Sequence, residues 1–291
     1  MNTLDSLLLQ AEHLLTRLER VLPSPPPPPD WSGAVAYRWR KSGNTGWLQA
    51  VAHPHRIRLQ DLHGIAEQKK QIERNTRQFV AGHPANNVLL TGARGTGKSS
   101  LIKALLNKYA AKGLRLIEVD KNDLTDLPDI VDLLHGRPER FLIFCDDLSF
   151  EADEPGYKAL KVALDGSIAG TSDNLLIYAT SNRRHLMPEY LADNLETQQA
   201  GGEIHPGEAV EEKTSLSERF GLWLSFYPFD QEHYLSIAEA WAKRLGAPAA
   251  DPEQLRRAAL QWALSRGSRS GRSAWQFARD WAGRKHMENE K

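Results

Sequence analysis

The sequence contains almost no cysteine, carries no net charge and has no long apolar run. Its single cysteine, Cys145, lies within the apolar segment 141–145, so no disulfide can form within the chain and the thiol is expected in the core. Because Lys and Arg total 37 and Asp and Glu also total 37, overall charge points to no nucleic-acid partner. No segment approaches the ~20 apolar residues of a transmembrane helix. Charged residues such as Asp5 and Glu12 interrupt the N-terminal leucines and argue against a secretory signal. We therefore expect a cytoplasmic protein with no membrane partner.

The 291 residues are enough for a main domain and a smaller one, and the composition divides them into five segments. Residues 1–22 carry leucines at helical spacing and predict an amphipathic helix, which either packs on its own protein or docks on a partner. Residues 23–30 form a proline-rich linker. An N-terminal extension at 31–61, a nucleotide-binding core at 62–227 and a helical lid domain at 228–291 complete the predicted organisation.

The extension contains a predicted β-hairpin. Residues 34–40 and 47–52 alternate in polarity around a Gly/Asn-rich turn. The hairpin places Trp39 and Trp47 beside the basic residues Arg38, Arg40 and Lys41. Basic residues interleaved with aromatic ones can pair with phosphates and stack on bases, so a nucleic-acid contact is one interpretation. The other is an ordinary hairpin with a solvated face.

Short apolar strands alternate with helices from residue 88 to residue 226. Strands are predicted at 88–90, 114–119, 141–145, 175–179 and 222–226, and helices at 64–81, 99–112, 127–134 and 155–164. This alternation predicts a parallel sheet with helices on both faces. Residues 196–213 lack periodicity and predict a long loop, whereas helices at 231–245, 252–266 and 273–285 make the C-terminal part all-α.

Residues 92–99 match the phosphate-binding P-loop pattern G-x-x-x-x-G-K-[ST], and they lie between a predicted strand and a predicted helix. Glycines let successive backbone N–H groups surround a phosphate, and the helix N-terminus adds its positive end. Lys98 can reach the β- and γ-phosphate oxygens, and the Ser99 hydroxyl can bind Mg²⁺. The predicted ATP-binding residues are Gly92, Ala93, Arg94, Gly95, Thr96, Gly97, Lys98, Ser99 and Ser100.

Two aspartates follow the apolar strand 141–145. A strand that ends in two acids is typical of the Walker B motif, in which Asp146 would hold Mg²⁺ through water and Asp147 would polarise the attacking water. The alternative is that the two acids cap the following turn. One strand later, residues 177–182 end in polar side chains, and Asn182 is predicted to orient the water near the γ-phosphate.

Together these motifs resemble those of the AAA+ ATPases. Residues 216–221 look like the family's box VII, which implies that Arg219 is an arginine finger acting on a neighbouring subunit's nucleotide. Residues 271–274 look like the sensor 2 motif, which implies a catalytic role for Arg272 at the start of a lid helix, with Arg269 as the competing candidate. The resemblance implies an α/β P-loop three-layer sandwich with a parallel five-stranded sheet and a small all-α lid. It also implies ATP and Mg²⁺ between core and lid, and a homo-oligomer.

The closer resemblance is to an uncharacterised bacterial family of AAA+ ATPases, a domain of unknown function. It extends from Tyr37 to Trp281 and includes the segments 85–100, 144–150 and 181–188. This resemblance implies a fold and an ATPase core, and it implies no substrate.

Two departures from the AAA+ pattern bear on function. Most AAA+ proteins have glutamate where Asp147 stands, and the shorter arm withdraws the carboxylate by about 1 Å. Hydrolysis is therefore expected to be slow, or to be assisted by Glu151 or Glu154. Residues 120–126 lack the aromatic-apolar-glycine loop with which threading unfoldases grip a polypeptide, and this argues against processive unfolding.

Three functions from different classes follow. The first is an ATP-hydrolysing switch that uses Arg219 in trans to switch or remodel a protein or DNA partner. The second is a P-loop kinase for a small molecule, but short connections around the second and third strands leave little room for a substrate, and Arg272 would have no role. The third is a nucleotide-gated scaffold that binds ATP with little turnover and recruits partners, for which Asp147 is the sequence feature in favour.

Overall fold

A computed structural model describes most of the chain. It covers residues 7–8, 10–13, 28–43, 45–150, 154–165, 173–183, 186, 198–200, 203–205, 216–247 and 251–289. Residues 7–8 and 10–13 are helical, and the rest of the predicted N-terminal helix 1–22 lies outside the described residues, as does most of the linker 23–30.

A seven-stranded sheet forms the centre of the molecule. Its strands are β1 (Ala36–Ser42), β2 (Thr45–Ala50), β3 (Val88–Gly92), β4 (Leu114–Glu118), β5 (Arg140–Cys145), β6 (Leu175–Ser181) and β9 (Leu222–Phe226). Their order across the sheet is β2-β1-β4-β5-β6-β3-β9. The five neighbouring strands β4, β5, β6, β3 and β9 are all parallel, as predicted. The parallel order places the carboxyl ends of β3, β5 and β6 side by side at one edge of the sheet.

The sheet is larger than predicted because the N-terminal hairpin is part of it. Strands β1 and β2 are antiparallel, and β1 pairs in parallel with β4. The Trp39 side chain is only 5% exposed, and its indole N–H donates a hydrogen bond to Asp126 Oδ2 at 3.0 Å. Lys41 Nζ donates to the other oxygen of Asp126 at 2.6 Å. Because Trp39 is buried, its ring cannot stack on nucleic-acid bases. Of the two tryptophans on which the nucleic-acid interpretation of the hairpin was based, only Trp47 remains.

Helices cover both faces of the sheet. They are α1 (Ala66–Val80), α2 (Lys98–Tyr109), α3 (Leu127–Leu134) and α4 (Pro155–Asp165). Side chains alternate along β5: Phe141 and Ile143 join the core under α3 and α4, whereas Leu142 and Phe144 join the core under α1 and α2. Alternation along one strand therefore supplies two separate apolar cores, and the three-layer α/β architecture follows.

Three C-terminal helices form a separate cluster. They are α5 (Gln231–Arg244), α6 (Pro252–Arg266) and α7 (Gly271–Asn289). Their shared core is built on Tyr234, Phe277 and Trp281. The Asp230 carboxylate accepts a hydrogen bond from the His233 backbone N–H at 2.8 Å and so caps the start of α5. In the part of the chain that the structure describes, none of the helices has the length and apolar composition to cross a membrane.

The segment 196–213 departs from the predicted long loop. Its described residues form two short strands, β7 (Gln198–Ala200) and β8 (Glu203–His205), which pair antiparallel to each other. The remainder of the segment lies outside the described residues. Strands of three residues are too short to give a periodic sequence pattern.

Candidate functional site

The P-loop connects β3 to α2 through three glycines in conformations that other residues rarely adopt. The φ angles of Gly92, Gly95 and Gly97 are 122°, 74° and 102°. A Cβ atom at Gly92 would lie 1.9 Å from the carbonyl oxygen of Phe226 on the neighbouring strand β9. The loop therefore requires glycine for backbone conformation and for close packing against the sheet.

Lys98, at the start of α2, folds back over this loop. Its Nζ atom donates hydrogen bonds to the carbonyl oxygens of Gly92 at 2.6 Å and Ala93 at 2.9 Å, and to Asn182 Oδ1 at 3.0 Å. The residue is only 6% exposed. Burial lowers the pKa of Lys98, and the nearby carboxylates of Asp147 and Asp146 oppose that shift. The site therefore places an ammonium group inside the loop where a phosphate would be cradled.

Asp146, directly after β5, accepts two short hydrogen bonds on one oxygen. Ser99 Oγ and Thr180 Oγ1 each lie 2.6 Å from Asp146 Oδ1. Ser99 and Asp146, the two residues predicted to hold Mg²⁺, are therefore in direct contact. Hydroxyl and carboxylate oxygens are ligands that Mg²⁺ prefers, and the donor set fits this ion.

Asp147 has an unusual backbone conformation. Of the described residues other than glycine, only Asp147 has a positive φ, at 54°. One carboxylate oxygen accepts a hydrogen bond from the Asn182 amide, and the other lies 3.8 Å from Nη2 of Arg94. Residues held at positive φ are concentrated at functional sites. The structure thus brings Asn182, predicted from the end of another strand, into contact with both Asp147 and Lys98.

These groups line a cavity between the sheet and the C-terminal helices. Its volume is about 680 Å³, within the range of small-molecule sites. The polar part of its lining comes from P-loop residues, both aspartates, Asn182 and Arg272. Apolar and aromatic side chains also line it, among them Ile57, Ile65, Ile237, Trp241 and Trp275. A lining that combines polar groups with aromatic side chains suits the phosphates and the base of a nucleotide.

Two contacts join the C-terminal helices to the rest of the site. The backbone N–H of Arg272 donates to the Gly95 carbonyl of the P-loop at 3.3 Å. Arg244 of α5 forms an ion pair with Asp61, whose side chain is only 3% exposed. Asp61 Oδ2 also accepts a hydrogen bond from the Arg58 backbone N–H at 2.7 Å. Two of the C-terminal helices, α5 and α7, are therefore attached to other residues that line the cavity.

The other predicted residues lie in different places. Arg272 lines the cavity, whereas Arg269 is exposed and is not among the described residues that line it. Arg219, also outside that lining, donates from Nε to the Asp165 carboxylate at 2.7 Å. Glu154 is paired with Lys121 at 2.9 Å and does not line the cavity, which argues against its predicted assistance in hydrolysis. Glu151 lies outside the described residues.

Several residues of the site were missed from the sequence. Thr180 contacts both aspartates, and its signal was the run of polar residues that ends β6. Asp61 and the lid tryptophans Trp241 and Trp275 gave no signal, because nothing local distinguishes them from other acidic or core residues. Their role depends on how the C-terminal helices fold back over the sheet.

Most of the chain matches one protein family in sequence. A profile of the family described as "Protein of unknown function (DUF815)" matches residues 32–285. The chain belongs to this family. The match includes the P-loop, both aspartates, Arg219 and Arg272. No protein of curated function matches the chain in sequence.

Similarity to one solved structure shows the fold of the chain. A substituted form of Thermotoga maritima RuvB superposes with a TM-score of 0.50 at 14% identity, over 76% of this chain and 63% of that one. The structure titled Thermotoga maritima RuvB Holliday junction branch migration motor gives a TM-score of 0.45 at 17% identity, over the same shares. The chain therefore spans less than two thirds of these RuvB chains. The first likeness shows that the DUF815 chain has the RuvB-like AAA+ fold.

Proposed function

We propose that this protein is an ATPase that binds Mg·ATP in the cavity between the sheet and the C-terminal helices. One observation carries the proposal: Lys98 Nζ, inside the P-loop, lies 3.0 Å from Asn182 Oδ1, and the same Asn182 amide contacts Asp147. The groups that we propose to bind phosphate and to activate water are therefore in contact through Asn182. A phosphate-binding loop used only for anchoring would not need these groups together.

The residues present fit the nucleotide and its metal. The Lys98 ammonium and the N–H groups of the P-loop would bind the phosphates, and Ser99 and Asp146 would hold Mg²⁺. When bound, Mg²⁺ would neutralise charge on the β- and γ-phosphate oxygens. The aromatic side chains that line the cavity, Trp241 and Trp275, would cover the base.

Hydrolysis would depend on side chains that can act on water and on the transferred phosphoryl group. Asp147 would accept a proton from the attacking water, and Asn182 would orient that water. Arg272 would contact the phosphates from the lid and link their state to the lid's position. Arg219 lies outside its own cavity, so it would act on the nucleotide of a neighbouring subunit.

A homo-oligomer follows from this assignment of Arg219, and we propose that it switches or remodels a protein or DNA partner in the cytoplasm. The segment that follows β4 supports a switch that acts on a partner rather than an enzyme that threads a polypeptide. It forms a 3₁₀ helix over Lys121–Asp126, and its one large apolar side chain, Leu124, is fully buried. The segment therefore presents no exposed aromatic or large apolar side chain with which to grip a polypeptide.

The proposal is tested by measuring phosphate release at several protein concentrations, together with ATP binding. We expect Mg²⁺-dependent ATP binding and a specific activity that rises with protein concentration as subunits assemble. Absence of ATP binding in the wild-type protein would refute the assignment of the cavity.

A nucleotide-gated scaffold is the second candidate, and the position of Asp147 favours it. The carboxylate lies 3.8 Å from Nη2 of Arg94, and its side chain is one methylene shorter than that of glutamate. Tight ATP binding without phosphate release at any protein concentration would identify a scaffold of this kind.

A further inference from the structure

We propose that Thr180 is a positioning residue that sets the geometry of both aspartates of the ATPase site. This inference rests on the proposed function, because the aspartates matter only if the cavity binds Mg·ATP. Thr180 is not part of the P-loop or the Walker B strand. It lies near the carboxyl end of β6, between the strand that carries the P-loop and the strand that carries the aspartates.

The direction of its hydrogen bonds is fixed by chemistry. The backbone N–H of Asp147 can only donate, and it lies 2.8 Å from Thr180 Oγ1. The single hydroxyl hydrogen of Thr180 is therefore available to Asp146 Oδ1, which is 2.6 Å away. Thr180 is 1% exposed, so water does not compete for these bonds. One buried hydroxyl thus connects the side chain of one aspartate with the backbone of the next.

The first consequence concerns the metal-binding group. Asp146 Oδ1 accepts from Thr180 on one side and from Ser99 on the other, both at 2.6 Å. These two donors fix the rotation of the carboxylate. Hydrogen bonds to the ligands of a metal site orient those ligands, and their removal costs about 10- to 100-fold in metal affinity or activity.

The second consequence concerns Asp147. A positive φ is unfavourable for an L-residue with a side chain, and it persists where the surroundings hold it. The hydrogen bond to Thr180 Oγ1 holds the amide of Asp147 in this conformation, and the carbonyl oxygen of Thr180 accepts from Leu148 N at 2.7 Å. Residues 147 and 148 are therefore both tied to Thr180. In this way the chain orients a carboxylate that is shorter than glutamate.

Substitutions at Thr180 separate a positioning role from a purely structural one. Thr180→Val keeps the shape and removes the hydroxyl, whereas Thr180→Ser keeps the hydroxyl. Thr76→Val is a matched control, since Thr76 is also fully buried and its hydroxyl contacts Ile72 and Tyr178 instead of the aspartates. Affinity is measured with a fluorescent ATP analogue, with and without Mg²⁺, and phosphate release and thermal unfolding are measured on the same proteins.

We expect Thr180→Val to bind the analogue in EDTA as the wild type does, within about twofold. The gain in affinity on adding Mg²⁺ should fall about tenfold, and kcat should fall at least as much. Thr180→Ser should recover most of both losses, and Thr76→Val should keep the wild-type Mg²⁺ dependence. If Thr180→Val is unfolded at the assay temperature, Thr180→Ala is measured in the same way.

Three results would overturn the positioning role while leaving the proposed function intact. They are an unchanged Mg²⁺ dependence in Thr180→Val, an equal loss of affinity with and without Mg²⁺, and failure of both hydroxyl-free variants to fold while Thr180→Ser folds. The third result would mean that the Thr180 hydroxyl stabilises the fold and does not position the aspartates. A wild-type protein that binds no analogue in either condition would instead refute the proposed function itself.

Discussion

Arg219 Nε donates hydrogen bonds to both carboxylate oxygens of Asp165, at 2.7 and 2.8 Å. Arg219 precedes β9 and Asp165 ends α4, so the contact joins two elements on the surface of the sheet domain. Nε and the two Nη groups of an arginine donate in different directions within the guanidinium plane. An arginine held through Nε is therefore oriented by its own chain, which is a useful property if a neighbouring subunit supplies its target.

We expect Arg219→Ala to bind ATP normally and to lose most of its ATPase activity. Arginine fingers in other nucleoside triphosphatases contribute about 10³- to 10⁵-fold to the rate. Mixing Arg219→Ala with Lys98→Ala should restore part of the activity, because some interfaces then pair an intact P-loop with an intact finger. Phosphate release is measured for each variant alone and for the mixture.

Arg269→Ala is the control for this experiment, since Arg269 is an exposed arginine that does not line the cavity. It should retain wild-type activity. An Arg219→Ala protein whose ATPase rate per molecule equals that of the wild type, at every concentration, would remove the oligomeric switch and leave only the fold.

Replacing Lys98 by alanine should weaken ATP binding. Charge-assisted hydrogen bonds are worth about 1.5–3 kcal/mol, so the loss should be about 10- to 100-fold or more. Lys98 contacts loop carbonyls rather than the apolar cores, so the protein should still fold. The control is Lys70→Ala, at an exposed position of α1. Equal ATP affinities of Lys98→Ala and the wild type, measured by titration calorimetry, would contradict the site.

The two aspartates should give different defects. Asp147→Asn should still bind Mg·ATP but lose turnover, because only the water-activating carboxylate is removed. Asp146→Asn should weaken the Mg²⁺ dependence of ATP binding, because the Asp146 carboxylate contacts Ser99, the other residue proposed to hold Mg²⁺. Both are compared by Mg²⁺ titration of binding and of phosphate release. Wild-type hydrolysis by Asp147→Asn would place the general base elsewhere, with Glu151 the next candidate.

Stability should respond differently to alanine at two glycines with positive φ. A Cβ at Gly92 would lie 1.9 Å from the Phe226 carbonyl oxygen, whereas a Cβ at Gly113 would meet no atom within 4 Å. Gly113→Ala carries only the conformational cost of about 1–2 kcal/mol. Gly92→Ala adds a backbone clash and should cost more than that. Urea unfolding measures both, and equal losses would mean that β9 does not pack against the P-loop as described.

Local patterns in the sequence were sufficient for the elements of the core. Strand β9 and helices α3 and α6 occupy the predicted residues, because each is a short run whose apolar spacing matches its own period. The P-loop pattern likewise needs only eight consecutive residues, since the loop binds through its own backbone. The AAA+ resemblance came from several such local motifs in the expected order.

What the sequence left open depended on contacts between distant segments. Both Arg269 and Arg272 fitted the lid motif, and the fold of α7 against the P-loop brings Arg272 to the cavity. The hairpin was predicted as an extension, but pairing with β4 makes it part of the sheet. Edge pairing is decided by backbone hydrogen bonds to another strand, which no local pattern reports.

The features of the site also divide into those that the sequence determined and those that the tertiary structure decided. The sequence alone determined which chemical groups are present: the P-loop lysine, two adjacent aspartates and a polar strand end. Only the tertiary structure decided that Asp147 adopts a positive φ and that Thr180, 33 residues away, holds its backbone N–H. The physical reason is that a hydrogen bond between neighbouring parallel strands depends on the strand order. That order is set by the packing of both apolar cores together and not by the residues on either side of the bond.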